Sequence, residues 1–217
     1  MARYELIVFD WDGTLMDSAA AIVAAIMAAC RDLGIEPPSE ERARHIIGLG
    51  LQDAIRSALP NLPARDYGRL AERYRHHYLS RDAELSLFPG ARELVADLHA
   101  GGRRLAVATG KSRQGLQRAL AHSGLGELFH ATRCADECFS KPHPAMLLEI
   151  MDVLEIDRGA VLMVGDTTHD LQMARNAGVD GLAVSFGAHP ETALLAERPV
   201  ACAGSFVELA AWIRENA

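Results

Sequence analysis

Residues 8 to 18 read VFDWDGTLMDS. The apolar run Leu6-Ile7-Val8-Phe9 stops on Asp10, Asp12 follows two residues later, and Gly13-Thr14 turns the chain. Two carboxylates so close together repel each other, so stability alone does not call for them. Other polar residues stand in comparable places. Thr109-Gly110 follows the run Leu105–Ala108, Lys141 precedes Pro142, and Gly165-Asp166-Thr167-Thr168-His169-Asp170 follows Val161–Val164. Ligands of open α/β sheets bind beyond the carboxyl ends of the strands, which makes these residues candidates for a single site. That site would hold four carboxylates, a hydroxyl and one of the chain's two lysines, Lys111 and Lys141. Converging acids need a cation, and hard oxygen donors without a His/Cys set favour Mg²⁺ over zinc or copper. An acid nucleophile, Mg²⁺, a lysine and a hydroxyl suit phosphoryl transfer, where positioning and charge neutralisation supply most of the catalysis.

Such a site needs strands to deliver it. Short apolar runs at Leu6–Phe9, Leu105–Ala108, Phe129–Arg133, Val161–Val164 and Gly181–Val184 read as strands. Helical patterns at Gln114–His122, Pro144–Leu154 and Leu171–Ala177 separate the last four. The alternation predicts an α/β fold with a doubly wound parallel sheet. One interval departs from it, because Asp17 to Leu85 shows helix after helix. Ile22, Val23, Ile26, Met27 and Cys30 keep helical spacing, Pro37-Pro38-Ser39-Glu40 ends one helix and caps the next, and Tyr67, Leu70, Tyr74 and Tyr78 share one side of another. The expected organisation is a core of residues 1–16 and 86–217 with a helical cap of residues 17–85, hinged near Asp17 and Leu85–Pro89.

Asp10-Trp11-Asp12-Gly13-Thr14, Thr109, Lys141 and Gly165-Asp166-x-x-x-Asp170 resemble, in order and spacing, the four motifs of the haloacid dehalogenase-like (HAD) hydrolases. The helical insertion after the first motif resembles the cap class shared by phosphoglycolate phosphatase and β-phosphoglucomutase. The resemblance implies that Asp10 is a nucleophile forming an aspartyl-phosphate. It implies that Asp12 protonates the leaving oxygen and then activates water. Gly13, Thr14, Thr109 and Gly110 are implied to hold phosphoryl oxygens, and Lys141 to neutralise charge on the nucleophile and the transferred group. Asp166, Asp10 and the carbonyl of Asp12 are implied Mg²⁺ ligands. Asp170 would bind the ion through water or orient Asp166 and Lys141. The implied reaction is hydrolysis of a small phosphate monoester. Transfer to a sugar, as in the phosphomutases, uses the same core residues, and a non-enzymatic phospho-acceptor regulator is a further alternative. A dehalogenase would lack Asp12, and a phosphonate-cleaving enzyme would need a cap lysine, which residues 17–85 do not contain.

Other patterns weigh less. ATGKS at 108–112 ends like a P-loop, but the full motif requires glycine at 105, where Leu stands. Lys111 is therefore expected at the start of the following helix, exposed or near the phosphate pocket. Ile47-Gly48-Leu49-Gly50-Leu51 reads as a turn or a cap loop facing the site, with Arg44 or His45 contacting the leaving group. Arg65 to Arg81, with five arginines and two histidines, reads as a solvated face, and the Trp11 ring as packing near the hinge.

The net charge of −7 argues against a non-specific nucleic-acid partner. The longest apolar stretch, Ala19 to Cys30, is too short to span a bilayer. Four cysteines follow no disulfide framework, and no signal-peptide pattern precedes them, so a reduced, cytoplasmic protein acting on a small phosphorylated metabolite is expected. A homodimer is compatible with the sequence, which specifies no oligomeric state.

Overall fold

The computed structural model describes residues 3–216. Six parallel strands form one sheet: β1 (Leu6–Phe9), β2 (Arg104–Thr109), β3 (Ala131–Cys134), β4 (Val161–Gly165), β5 (Asp180–Val184) and β6 (Ala201–Ala203). Their order is β3-β2-β1-β4-β5-β6. The chain therefore builds outward from β1 on one side, then returns to lay β4 on the other. The reversal puts the topological switch point at β1, where a ligand crevice opens in such sheets.

Strands buried on both faces read as continuous apolar runs, and β1 shows why. Ile7 and Phe9 pack into one core layer with Leu94, Val95, Leu116 and Leu209. Leu6 and Val8 pack into the other with Met146, Ile150 and Met173. The first layer is covered by α5 (Ala91–Ala100), α6 (Arg113–Ser123) and α10 (Phe206–Asn216), the second by α7 (Ala145–Leu154) and α8 (Thr168–Ala177); α9 (Glu191–Ala196) lies against the β5 side. Strand β3 begins two residues later than the sequence suggests, because Phe129 follows a short 3₁₀ turn and packs inward. Strand β6 carries no sequence signal of its own. It has three residues, Ala-Cys-Ala, and exists through pairing with β5.

The insertion folds as four helices: α1 (Ala19–Asp32), α2 (Glu40–His45), α3 (Leu51–Ala58) and α4 (Tyr67–Leu79). Ser39 caps α2 by accepting from the Arg42 amide at 3.2 Å. Ile26, Cys30, Ala43, Ile55 and Leu70 make a core separate from those of the sheet. The two chain crossings run side by side: the Asp17 amide donates to the Ser86 carbonyl at 3.0 Å, and the Phe88 amide to the Leu15 carbonyl at 2.9 Å. The arginines of α4 behave as a solvated face, with Arg69 near Asp66 and Arg73 near Asp32. Among the described residues, no helix is long and apolar enough to cross a membrane, and the four cysteines are free.

Candidate active site

The strand register brings the motif residues to one place. Phe9 pairs with Val107 of β2 and Val164 of β4. Asp10 carries the ladder one residue further, its amide donating to the Val164 carbonyl at 2.9 Å. Its carboxylate therefore emerges just past the sheet, between Thr109 at the end of β2 and Asp166 just after β4.

Lys141 is wholly buried, its ammonium 2.8 Å from Asp10 Oδ1 and 2.6 Å from Asp170 Oδ1. Burial alone would lower the lysine pKa, but the two carboxylates outweigh it and hold the ammonium above its usual range. Asp170 is fixed from its other side. It sits at the third position of α8, where its Oδ2 accepts from the Thr167 amide at 3.0 Å and the Thr167 hydroxyl at 2.6 Å, completing a capping box. Every oxygen of Asp170 thus has a partner, and Asp170 orients Lys141.

Asp166 is held by the Thr14 hydroxyl at 2.8 Å and the Ala188 amide at 2.8 Å. Thr14 therefore spends its hydroxyl on Asp166. Gly13, with φ of +82°, donates its amide to the Met16 carbonyl. A Cβ on Gly13 would overlap the Asp166 carboxylate, so glycine is required there for packing as well as for the turn.

Carboxylate oxygens of Asp10, Asp166 and Asp170 lie within 4.8 Å of one another. Burial, then the neighbouring acids, push the Asp10 carboxyl up to about 7 and Asp166 well above the usual range. Asp10 Oδ2 has no hydrogen-bond partner, although it is buried. An unpartnered buried oxygen among acids driven toward protonation is the mark of a place for a cation, and all-oxygen donors suit a hard one.

Asp12 faces the other way, toward the cap. Its Oδ1 accepts from the Ser18 hydroxyl at 2.6 Å and lies 3.0 Å from the Lys111 ammonium. Lys111 also donates to the Tyr78 hydroxyl at 2.9 Å. Of the two placements open to Lys111 the structure gives the one beside the pocket, and it corrects only the expected start of the helix. Ser112 takes the N-cap of α6, which leaves Lys111 in the preceding loop with its side chain 11% exposed, between the second motif acid and cap helix α4.

The cap is closed over this floor. The Gly50 amide donates to the Ser140 hydroxyl at 2.8 Å, and Gly110 comes so near the Gly48 and Leu49 carbonyls that any side chain there would collide with the cap. A third contact uses histidines. His169 Nε2 and His189 Nε2 both donate to the His45 carbonyl, at 2.8 and 3.1 Å, while His189 Nδ1 accepts the Thr168 amide at 3.1 Å. A carbonyl can only accept and an amide N–H can only donate, which fixes His189 as the neutral Nε2–H tautomer. Burial, then the other histidines, lower His189 to about 4. The ring nitrogens of this cluster lie within 4.8 Å of one another, but both nitrogens of His189 and Nε2 of His169 already have hydrogen-bond partners.

Arg44 and His45 are not brought to the cleft, which corrects their expected contact with the leaving group. Arg44 points outward to Glu40, and the His45 ring stacks on His189. The short helix α2 ends at His45, so the chain reaches the cleft only with the next loop, Ile46 to Gly50. Trp11 is fully buried against Phe129, outside the cleft. Between cap and floor lies a cavity of about 650 Å³, reached by Asp10, Asp12 and Thr109 from below and by Leu49, Tyr74 and Tyr78 from above. The site role of the cap aromatics Tyr74 and Tyr78 has no local mark in the sequence. The helical stripe Tyr67-Leu70-Tyr74-Tyr78 was the one available hint.

Residues 7–184 match the family model described as haloacid dehalogenase-like hydrolase. The chain is 37% identical over 210 residues to a protein of Dickeya dadantii named probable phosphatase IndB, covering 94% of this chain and 91% of that one. It is 33% identical to a phosphoglycolate phosphatase of Agrobacterium fabrum, covering 84% and 81%. The crystal structure of a predicted phosphoglycolate phosphatase from Haemophilus somnus superposes with a TM-score of 0.84 at 25% identity, covering 98% of this chain and 99% of that one. The likeness to phosphatases runs along nearly the whole chain, and the protein belongs to the haloacid dehalogenase-like hydrolases as a phosphatase of that family.

Proposed function

We propose that the protein hydrolyses a small phosphate monoester in a Mg²⁺-dependent reaction that passes through an aspartyl-phosphate on Asp10. The observation that carries this reading is the Asp10 carboxylate itself. One oxygen is held by Lys141, the other has no partner, and the group reaches the floor of the cavity beneath the cap.

The chemistry divides between the two acids. Asp10 attacks phosphorus, forming an acyl-phosphate bond as the ester P–O bond breaks. Asp12 delivers its proton to the departing alcohol oxygen, then takes one from the water that attacks the same phosphorus; inorganic phosphate leaves and Asp10 is regenerated. Lys141 offsets the charge gathering on Asp10 and the phosphoryl oxygens, and Thr109 stands fully buried at the end of β2 beside them. Asp10, Asp166 and the Asp12 carbonyl would hold Mg²⁺, with Asp170 acting through Lys141. The bound ion would supply the positive charge that lets several acids stay ionised beside a phosphate dianion. Closure of the cap excludes bulk water.

The substrate is expected to be a small phosphorylated metabolite, with phosphoglycolate the reference suggested by the named relatives. The test is phosphate release with and without Mg²⁺, joined to peptide mass spectrometry after acid quench. A hydroxylamine-sensitive phosphoryl group on the Asp10 peptide, accumulating in Asp12→Ala, is the expected result. Wild-type turnover by Asp12→Ala, or labelling elsewhere, would overturn the assigned roles.

A further inference from the structure

Resting on the phosphatase reading, we infer that the leaving alcohol carries an apolar, ring-sized body rather than being a short hydroxy acid or a sugar. The cap is already docked, through Gly50 to Ser140, Lys111 to Tyr78 and the histidines to the His45 carbonyl. The cavity of about 650 Å³ is therefore room that remains after closure. It lies within the range of about 300–1,000 Å³ of sites that enclose a whole organic molecule, far more than a two-carbon acid fills.

The polar groups around the cavity are largely spoken for. Lys111 is neutralised by Asp12, Ser112 caps α6, Asp136 accepts the Arg113 amide and Ser140 accepts the Gly50 amide. Arg118 lies 3.8 Å from Asp82 at the rim, and Arg75 stands exposed at the mouth. Among the described residues no unpaired cation remains inside for a glycolate carboxylate, and Gln52, Gln114 and the Tyr74 hydroxyl are the polar side chains left to meet a ring of hydroxyls. Each buried polar group left unmatched weakens binding.

The cavity also offers apolar surface. Ile46, Leu49 and Tyr74 form its cap wall. Two of the large apolar side chains that the molecule leaves in solvent also line it, Leu79 at 43% and Phe139 at 68% exposure. Phe139 rests one face on His143, with ring centroids 4.5 Å apart. An exposed aromatic at the mouth of an active-site cavity marks a place where an apolar group is received.

The experiment compares Mg²⁺-supported kcat/KM for benzyl phosphate, phosphoglycolate and glucose 6-phosphate, with acetyl phosphate as a small activated control. Benzyl alcohol is no better a leaving group than glycolate or a sugar hydroxyl, so a preference reports binding. Benzyl phosphate is expected to exceed both by about tenfold or more. Phe139→Ser, at a position too exposed to matter for folding, is expected to raise KM for benzyl phosphate about fivefold with kcat within about twofold. Equal or better turnover of phosphoglycolate or glucose 6-phosphate, or no KM change in Phe139→Ser, overturns the inference and leaves the phosphatase reading intact. Failure to release phosphate from every compound, acetyl phosphate included, overturns both.

Discussion

The floor and the roof of the cleft are held by opposite means. On the floor, Lys141, Asp10, Asp166 and Asp170 are almost wholly excluded from solvent, Lys141 pairing Asp10 with Asp170 and Thr14 and the Ala188 amide holding Asp166, on a frame of parallel strands. On the roof, the cap has its own apolar core and meets the floor through a few polar contacts, close backbone approaches and one small apolar cluster in which Ile22, Ile47 and Tyr78 surround Ala188. A buried network of charges fixes geometry at a cost in stability, because desolvated acids repel and are driven toward protonation. A sparsely attached roof can lift without disturbing the floor. Chemistry therefore belongs to the rigid part, and admission and recognition to the detachable one.

The largest effect expected is on the floor. Asp10→Asn keeps the shape of the side chain but cannot form the acyl-phosphate, so turnover falls by about four orders of magnitude or more. Melting temperature holds or rises, since the substitution removes a carboxyl that the fold pushes up to about 7. Steady-state phosphate release and a thermal melt on the same sample check both halves. Activity within about a hundredfold of wild type would contradict the floor's assigned role.

Removing the central cation should damage stability as well as rate. Lys141→Met leaves Asp10 and Asp170 facing each other without compensation, a loss of about 3–5 kcal/mol by the usual cost of breaking a buried pair. The deficit read from urea denaturation at pH 8 should shrink at pH 5, where Asp10 is protonated. Equal deficits at both pH values would mean that packing, not charge, dominates there.

Metal addition probes the same network from the other side. The Asp10 carboxyl rises from 3.8 to about 7 on folding, so the folded protein binds more protons than the unfolded chain between those values. Metal-free stability therefore falls as pH rises through that window. A divalent ion competes with those protons. Mg²⁺ at about a hundred times its dissociation constant should add about 2.7 kcal/mol at pH 8 and much less at pH 5. A calorimetric scan with and without Mg²⁺ at each pH measures it, and a pH-independent increment would place the ion elsewhere.

This contrast also explains what could be read from the sequence. Asp10, Thr109 and Asp166 were legible because each ends an apolar run that can only be a buried strand, and parallel pairing then brings those ends together. Even Lys141, which follows no strand, stood out by rarity and by its proline. The roof was not legible to the same degree. The α1 and α4 stripes declared helices, but which face would overhang Asp12 depends on how the insertion docks. Arg44 and His45 lie off the cleft for that reason: the loop after α2 reaches it while those two side chains turn away. For Lys111 the sequence left exposure and nearness to the pocket both open, since its partners Asp12 and Tyr78 lie far from it in sequence. Strand β6 escaped because three small residues carry no period.

On the roof, the sharpest steric test is at Gly110. A Cβ built there would meet the Gly48 carbonyl oxygen at 2.5 Å, so Gly110→Val cannot close as the wild type does. Floor and fold are otherwise untouched, and kcat/KM should drop by about 10–100-fold with little change in melting temperature, as misplacing a closing element does. A comparable loss of thermal stability would show that cap and core fold as one unit, and would erase the distinction drawn between them.

The smallest effect is expected at the histidine contact. His189 is held to about 4 by burial and by the neighbouring histidines, below its ordinary 6.5, so it folds as the neutral ring. A lowered histidine contributes stability that is present above pH 6.5 and is lost as pH falls toward 4. The protonated ring would carry a hydrogen on Nδ1, where the Thr168 amide now donates, and the two donors would oppose each other. Docking of the cap on this side should therefore weaken by about 1–2 kcal/mol between pH 7.5 and pH 5. Amide exchange over residues 46–50, corrected for the intrinsic pH dependence, should speed up at pH 5 while β1 and β4 stay protected. In His189→Phe, which fills the space without titrating, the pH sensitivity should shrink. Exchange that rises equally in the strands would mean that acid loosens the floor first, reversing the order of rigidity between the two halves of the cleft.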